Sequence, residues 1–147
     1  MKSSLLIVAF LSGCGVESLS LMGADDSAKS LVTEVVDNVN KAAGCALLSD
    51  SSEGRIIVYD NEDTLSLVDN APSQTSPLNI KVFLLLTPTR DRKLAVLYRQ
   101  IGSELGLKTT PDSVMQNGYS WADSGSMALS LVQLLKDNRL GCANYSQ

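Results

Sequence analysis

Residues 95–115 read AVLYRQIGSELGLKTTPDSVM. Here and just upstream, Leu94, Leu97, Ile101 and Leu105 recur at helical spacing with Tyr98 beside them, which predicts an amphipathic helix over 90–105. Gly106 stands where the helix should stop, because the left-handed backbone that often ends a helix suits a residue without a Cβ. The next stretch, 107–121, has no periodic pattern and carries Pro111, Gly118 and the one tryptophan, Trp121. The segment therefore predicts a helix, an abrupt turn and an irregular return.

The flanking chain supplies what this helix packs on. Residues 79–86 (NIKVFLLL) are apolar enough to lie inside a sheet and predict the strongest strand. Residues 55–59 (RIIVY) predict another, and Leu65–Val68 reads as a second short one. Between them, Asp60–Asp63 reads as an acidic turn, and 69–78, with Pro72 and Pro77, as a loop. Ala28, Leu31, Val32, Val35, Val36 and Val39 form a stripe that predicts a helix over 27–43, with Asp25, Asp26 and Ser27 suited to its start and Gly44 to its end. Ala128, Leu131, Val132 and Leu135 predict a last helix over 124–140. Residues 15–26 read as a short spacer without the composition of an extended linker. The order of elements gives an α+β fold, a small mixed sheet packed with three helices, in one domain over 27–147.

Composition narrows the chemistry. The chain has 147 residues, enough for one domain, and 44% hydrophobic residues, enough for a core. Its formal charge of −4 and the lack of a basic stripe argue against a nucleic-acid partner. It has no histidine, hence neither the commonest metal-binding side chain nor the commonest general base at neutral pH.

Against that background, 95–115 resembles the active-site stretch of metzincin metalloproteases, the matrixins above all. Their pattern is H-E-x-x-H-x-x-G-x-x-H followed by a methionine turn. Two histidines one helical turn apart bind zinc from one face, a glutamate takes a proton from zinc-bound water, a glycine ends the helix, and a third histidine completes the site. Gly102, Gly106 and the Leu105–Leu107 run match the frame, and Ser113-Val114-Met115 stands where the methionine turn would be. The helix and strands upstream and the last helix downstream follow the family's order, whose usual first strand, before the first helix, is not evident. The chemistry is missing: Arg99, Ser103 and Thr109 occupy the three histidine positions and Gln100 the glutamate position.

Those replacements predict no zinc and no catalysis. Hydroxyls are poor zinc ligands beside imidazole or thiolate. A guanidinium about 5 Å from a divalent ion, at an effective dielectric of about 20, costs roughly 6 kcal/mol before screening, more than two hydroxyls can offset. Gln100 has the shape of glutamate but cannot accept the proton. Other chemistry is no better supported. Ser124-Gly125-Ser126 is not a G-x-S-x-G elbow, no spacing sets a serine against Lys93, Lys108 or Lys136, and Asp60–Asp63 lacks EF-hand spacing and reads as a solvated turn rather than a calcium loop. Arg90–Lys93 reads as a solvated helix start. The resemblance thus implies a pseudoenzyme whose former cleft, lined by Arg99, Gln100, Ser103 and Thr109, binds a peptide or protein segment. A structural envelope protein without a cleft and a protease with a non-standard site are the alternatives.

The start of the chain adds a location. Lys2, then the apolar run LLIVAFL over 5–11, then Leu11-Ser12-Gly13-Cys14 resembles the signal peptide and lipobox of bacterial lipoproteins. This implies cleavage after residue 13, acylation of Cys14, and a place in the cell envelope as a lipid-anchored protein. Gly15, where inner-membrane lipoproteins of Gram-negative cells often carry aspartate, favours the outer membrane. With Cys14 acylated, Cys45 and Cys142 remain as a pair in an oxidising compartment, each after a glycine at the end of a helical pattern, and a disulfide between them is expected.

Overall fold

The computed structural model describes residues 18–60, 73–75, 80–84, 89–110, 113–116, 124–142 and 145. The expected signal peptide, Cys14, the strand at 65–68 and Asn61–Asp63 lie outside them. The elements are β1 (Leu19–Gly23), α1 (Asp26–Ala43), β2 (Leu48–Asp50), β3 (Ile56–Tyr59), β4 (Ser73–Thr75), β5 (Ile80–Phe83), α2 (Arg90–Glu104) and α3 (Ser124–Asp137). The class is α+β, a small mixed sheet with three helices. None of the helices among the described residues is long and apolar enough to cross a membrane.

The sheet runs β2-β1-β3-β5-β4, with four parallel strands and β4 antiparallel at one edge. β1 lies inside the stretch 15–26 that reads as a spacer, so that expectation is corrected: the fold begins no later than residue 18. The physical reason is the alternation Ser18-Leu19-Ser20-Leu21, which sends Leu21 and Gly23 into the core and leaves the residues between half-buried. β2 was not expected at all. It pairs with Leu19–Leu21, while β3 pairs with Leu21–Gly23 on the other side. Residues 51–55 therefore cross β1 while advancing along it, held by Ser51 N–H to the Leu21 carbonyl and Arg55 N–H to Ser20 Oγ.

The three helices end close to their expected limits. α1 starts at an N-cap, Asp25, whose carboxylate accepts from Ala28 N–H, and buries its predicted stripe to the last residue. α2 buries Leu94, Leu97, Tyr98 and Ile101. α3 stops at Asp137, short of the expected 140, because Arg139 takes a left-handed conformation (φ 58°) and Leu140 N–H returns to the Leu135 carbonyl. The core lies where these faces meet Leu21, Leu48, Ile56, Val58, Ile80 and Val82 of the sheet. Cys45 and Cys142 are joined as expected, with their Cα atoms 6.6 Å apart and 97 residues between them in sequence. The bond ties the end of α1 to the chain just after α3.

The two sheet edges differ. Outside β2, the Asn40 side chain on α1 donates to the Leu48 carbonyl (2.8 Å) and accepts from Leu48 N–H (2.9 Å), occupying the backbone groups a further strand would use. At the opposite edge, β4 pairs through Ser73–Thr75 with β5 on its inner side.

Candidate functional site

The expected site residues fall on α2 and on the chain after it. Arg99 and Ser103 are four residues apart, hence on one face of the helix. Arg99 is half-buried, and that burial pulls its pKa below the usual guanidinium value without depriving it of charge at neutral pH. No partner to its guanidinium is found among the described residues. Gln100 is half-buried, Ser103 and Thr109 are exposed and Met115 is buried.

Gly106 ends the helix as expected. Its φ is +105°, its N–H bonds the Ser103 carbonyl (3.1 Å), and Leu107 N–H bonds the Gly102 carbonyl (2.8 Å), the two bonds of a Schellman stop. The chain then returns beneath α2. Ser113 Oγ donates to the Thr110 carbonyl (2.7 Å) and accepts from Met115 N–H (3.1 Å), and Val114 N–H donates to Ser130 Oγ on α3 (3.2 Å). This turn presses Met115 into α2 at Gly102. A Cβ at position 102 would lie 2.4 Å from Met115 Sδ and 3.2 Å from Leu131 Cδ1, so glycine there makes room for the methionine. Arg99, Gln100 and Ser103 thus lie on the last two turns of α2, whose Gly102 packs on Met115, and Thr109 lies on the exposed segment just past the glycine stop.

A second cluster was not foreseen. Asp60, at the end of β3, has a side chain only 4% exposed, which corrects its reading as part of a solvated turn. It accepts from Ser27 Oγ (2.6 Å), its N–H donates to Asp25 Oδ2 (2.8 Å), and Lys93 Nζ stands 2.8 Å from Oδ1 in an ion pair outside hydrogen-bond geometry. Arg90 pairs with Glu34 on α1. The charged start of α2 keeps Arg90 and Arg92 exposed, as expected of a solvated face, while Arg90 and Lys93 also tie it to α1 and β3. Ser27, Ser30, Leu31, Asp60, Arg90 and Lys93 line a cleft of about 410 Å³ at the first turn of α2, away from Arg99. With its cations held by carboxylates, the cluster holds elements together. Among the described residues, no group of three side chains suited to metal binding occurs.

No family model matches the chain, and no match was found among curated proteins or solved structures. The fold itself defines the class: an α+β domain with four parallel strands, an antiparallel edge strand, and a helix, glycine stop and buried methionine turn beside it.

Proposed function

We propose that this domain is a non-catalytic, lipid-anchored binding protein of the cell envelope, built on a metzincin-like frame, and that it takes an extended peptide or protein segment along the β4 edge. The observation that carries this reading is Met115 buried against Gly102 beneath the helix that bears positions 99, 100 and 103. A first strand before the first helix, which the resemblance calls for, is supplied by β1. Strand addition is favoured at β4, the edge with no further strand among the described residues, since Asn40 already occupies the other edge at Leu48. Arg99, charged and half-desolvated on α2, is suited to an acidic group on the bound segment.

The replaced positions explain the lack of catalysis. Water activation needs a metal, a base or both, and arginine, glutamine, serine and threonine supply neither. The disulfide fits an oxidising compartment, and the order of Lys2, the apolar run and LSGC fits export with acylation at Cys14. Capture of partners from envelope extract by wild type and by Arg99→Asp tests the reading, with zinc content measured on the same samples. Partners lost on charge reversal, with no stoichiometric zinc, support it. An unchanged set of partners points to a structural protein without a cleft, and one equivalent of zinc in the wild type returns the enzyme alternative.

A further inference from the structure

The parallel sheet gives the domain two unlike ends. α1 runs antiparallel to the strands it connects. The Arg55–Glu104 ion pair (2.9 Å) sets the end of α2 beside the start of β3, and the Cys45–Cys142 bond sets the end of α3 beside the end of α1. All three helices therefore terminate at one end of the molecule. The end of α2 also meets the end of α3, since a Cβ on Gly106 would lie 3.3 Å from Leu140 Cδ1. The chain enters at this same end: Ser18 Oγ donates to the Ala46 carbonyl (2.8 Å) and Leu19 N–H to the Leu47 carbonyl (3.1 Å).

Cations collect there. Lys41 lies in the last turn of α1, Lys136 in the last turn of α3 over the Tyr145 ring, Lys108 just past α2 and Arg139 just past α3. Lys41, Lys108 and Arg139 are exposed and have no ion-pair partner among the described residues. The described acids near this end are Glu104, paired with Arg55, Asp137, which accepts from Gln133, Asp37, one turn before Lys41 on α1, and Glu53, just before Arg55. Lys41 and Lys136 offset the partial negative charge of their own helix ends, whereas Lys108 and Arg139 lie beyond theirs. Arg139 holds its charge at a left-handed position where glycine would relieve strain of about 1–2 kcal/mol. Asp25, Asp26, Asp60 and Asp91 lie at the opposite end, at the starts of α1 and α2 and the end of β3.

We propose that this end, with Lys41, Lys108, Lys136 and Arg139, is a docking face for anionic lipid headgroups that holds the domain upright on its anchor. The proposal rests on acylation of Cys14. Four residues from Cys14 to Ser18 span at most about 14 Å. The tether therefore lets this end approach the surface to within about one Debye length, ~8 Å at physiological salt, where headgroup attraction acts. Basic residues near an anionic leaflet add attraction to that of a lipid anchor, and the acidic remainder of the domain is repelled, which fixes its orientation. The cleft at Asp60 and Lys93 then points away from the membrane.

Amide hydrogen exchange on the processed full-length protein tests this, in vesicles of phosphatidylcholine alone and with about 30% phosphatidylglycerol. Mass spectrometry of the N-terminal peptide reports acylation separately. Anionic vesicles are expected to slow exchange at least about twofold at 105–110 and 138–142 relative to neutral ones, with no change at 89–93. The Lys41→Glu/Lys108→Glu/Arg139→Glu variant should lose that difference while 31–39 in α1 stay protected, showing an intact fold. An acylated protein with equal exchange in both vesicles overturns the docking face alone. A Cys14 without acyl groups overturns the docking face and the lipid-anchor reading together.

Discussion

Replacing Gly102 with alanine tests the packing on which the site is built. The new Cβ would meet Met115 Sδ at 2.4 Å and Leu131 Cδ1 at 3.2 Å. Methionine is flexible, but Met115 is buried and Leu131 is fully buried on the same side, so neither side chain has open space to enter. Overpacking of this kind costs about 1–3 kcal/mol. Alanine is also the better helix former by about 1 kcal/mol. The net expectation is a loss of about 0–2 kcal/mol in the wild-type background. With Met115→Ala the nearest obstacle is gone and Leu131 at 3.2 Å can shift into the vacated space, so Gly102→Ala becomes neutral or stabilising by up to about 1 kcal/mol. The coupling between the two sites is then about 1–3 kcal/mol, readable by urea unfolding of the four proteins with the disulfide intact. Equal effects of Gly102→Ala in both backgrounds, within about 0.5 kcal/mol, would refute the contact and with it the methionine turn beneath α2.

Other expectations follow from the same contacts. Cys45→Ser/Cys142→Ser should lower stability by about 4–5 kcal/mol in the chain-entropy limit, since the bond closes nearly 100 residues; urea midpoints measure it, and an unchanged midpoint would mean the bond constrains little. Lys93→Met should cost about 2–4 kcal/mol by leaving the buried Asp60 carboxylate without its cation, and no less than Asp60→Ala, after which Lys93 can reach water; equal small losses would show that the cluster is not structural. Burial raises the Tyr145 pKa above 10.0, its backbone hydrogen bond offsetting this in part. The folded state thus holds the phenolic proton more tightly than the unfolded chain does. Its contribution is complete below the unfolded value and is lost as pH rises from there through the higher folded value. Thermal melts should show a decline above about pH 10 that is smaller in Tyr145→Phe, and identical slopes would contradict this.

The helices were legible because each repeats its apolar stripe over several turns, as Leu31, Val35 and Val39 do in α1. The outer strands were not. β1 offers a five-residue alternation next to an apolar leader, and β2 has three residues, too few to show a period. At the site, Gly102, Gly106 and Met115 could be read together only through a resemblance to the metzincin pattern, which sets them in one order, and parity singled out Cys45 and Cys142. The Asp25–Ser27–Asp60–Lys93 cluster left no such trace. Its members come from three elements, and ion pairs formed across a fold have no characteristic spacing. The collected cations at the helix ends were hidden for the same reason: in sequence they are scattered, and the parallel sheet gathers them.

The most direct measurement concerns the frame itself. Zinc titration by calorimetry of Arg99→His/Gln100→Glu/Ser103→His/Thr109→His should show one equivalent bound. That binding should be lost when any one of the three histidines is changed back, because positions 99, 103 and 109 would then offer an open three-histidine site above Met115. A variant that is folded, with α1 protected from exchange, yet binds no more zinc than the wild type would contradict the metzincin-like arrangement.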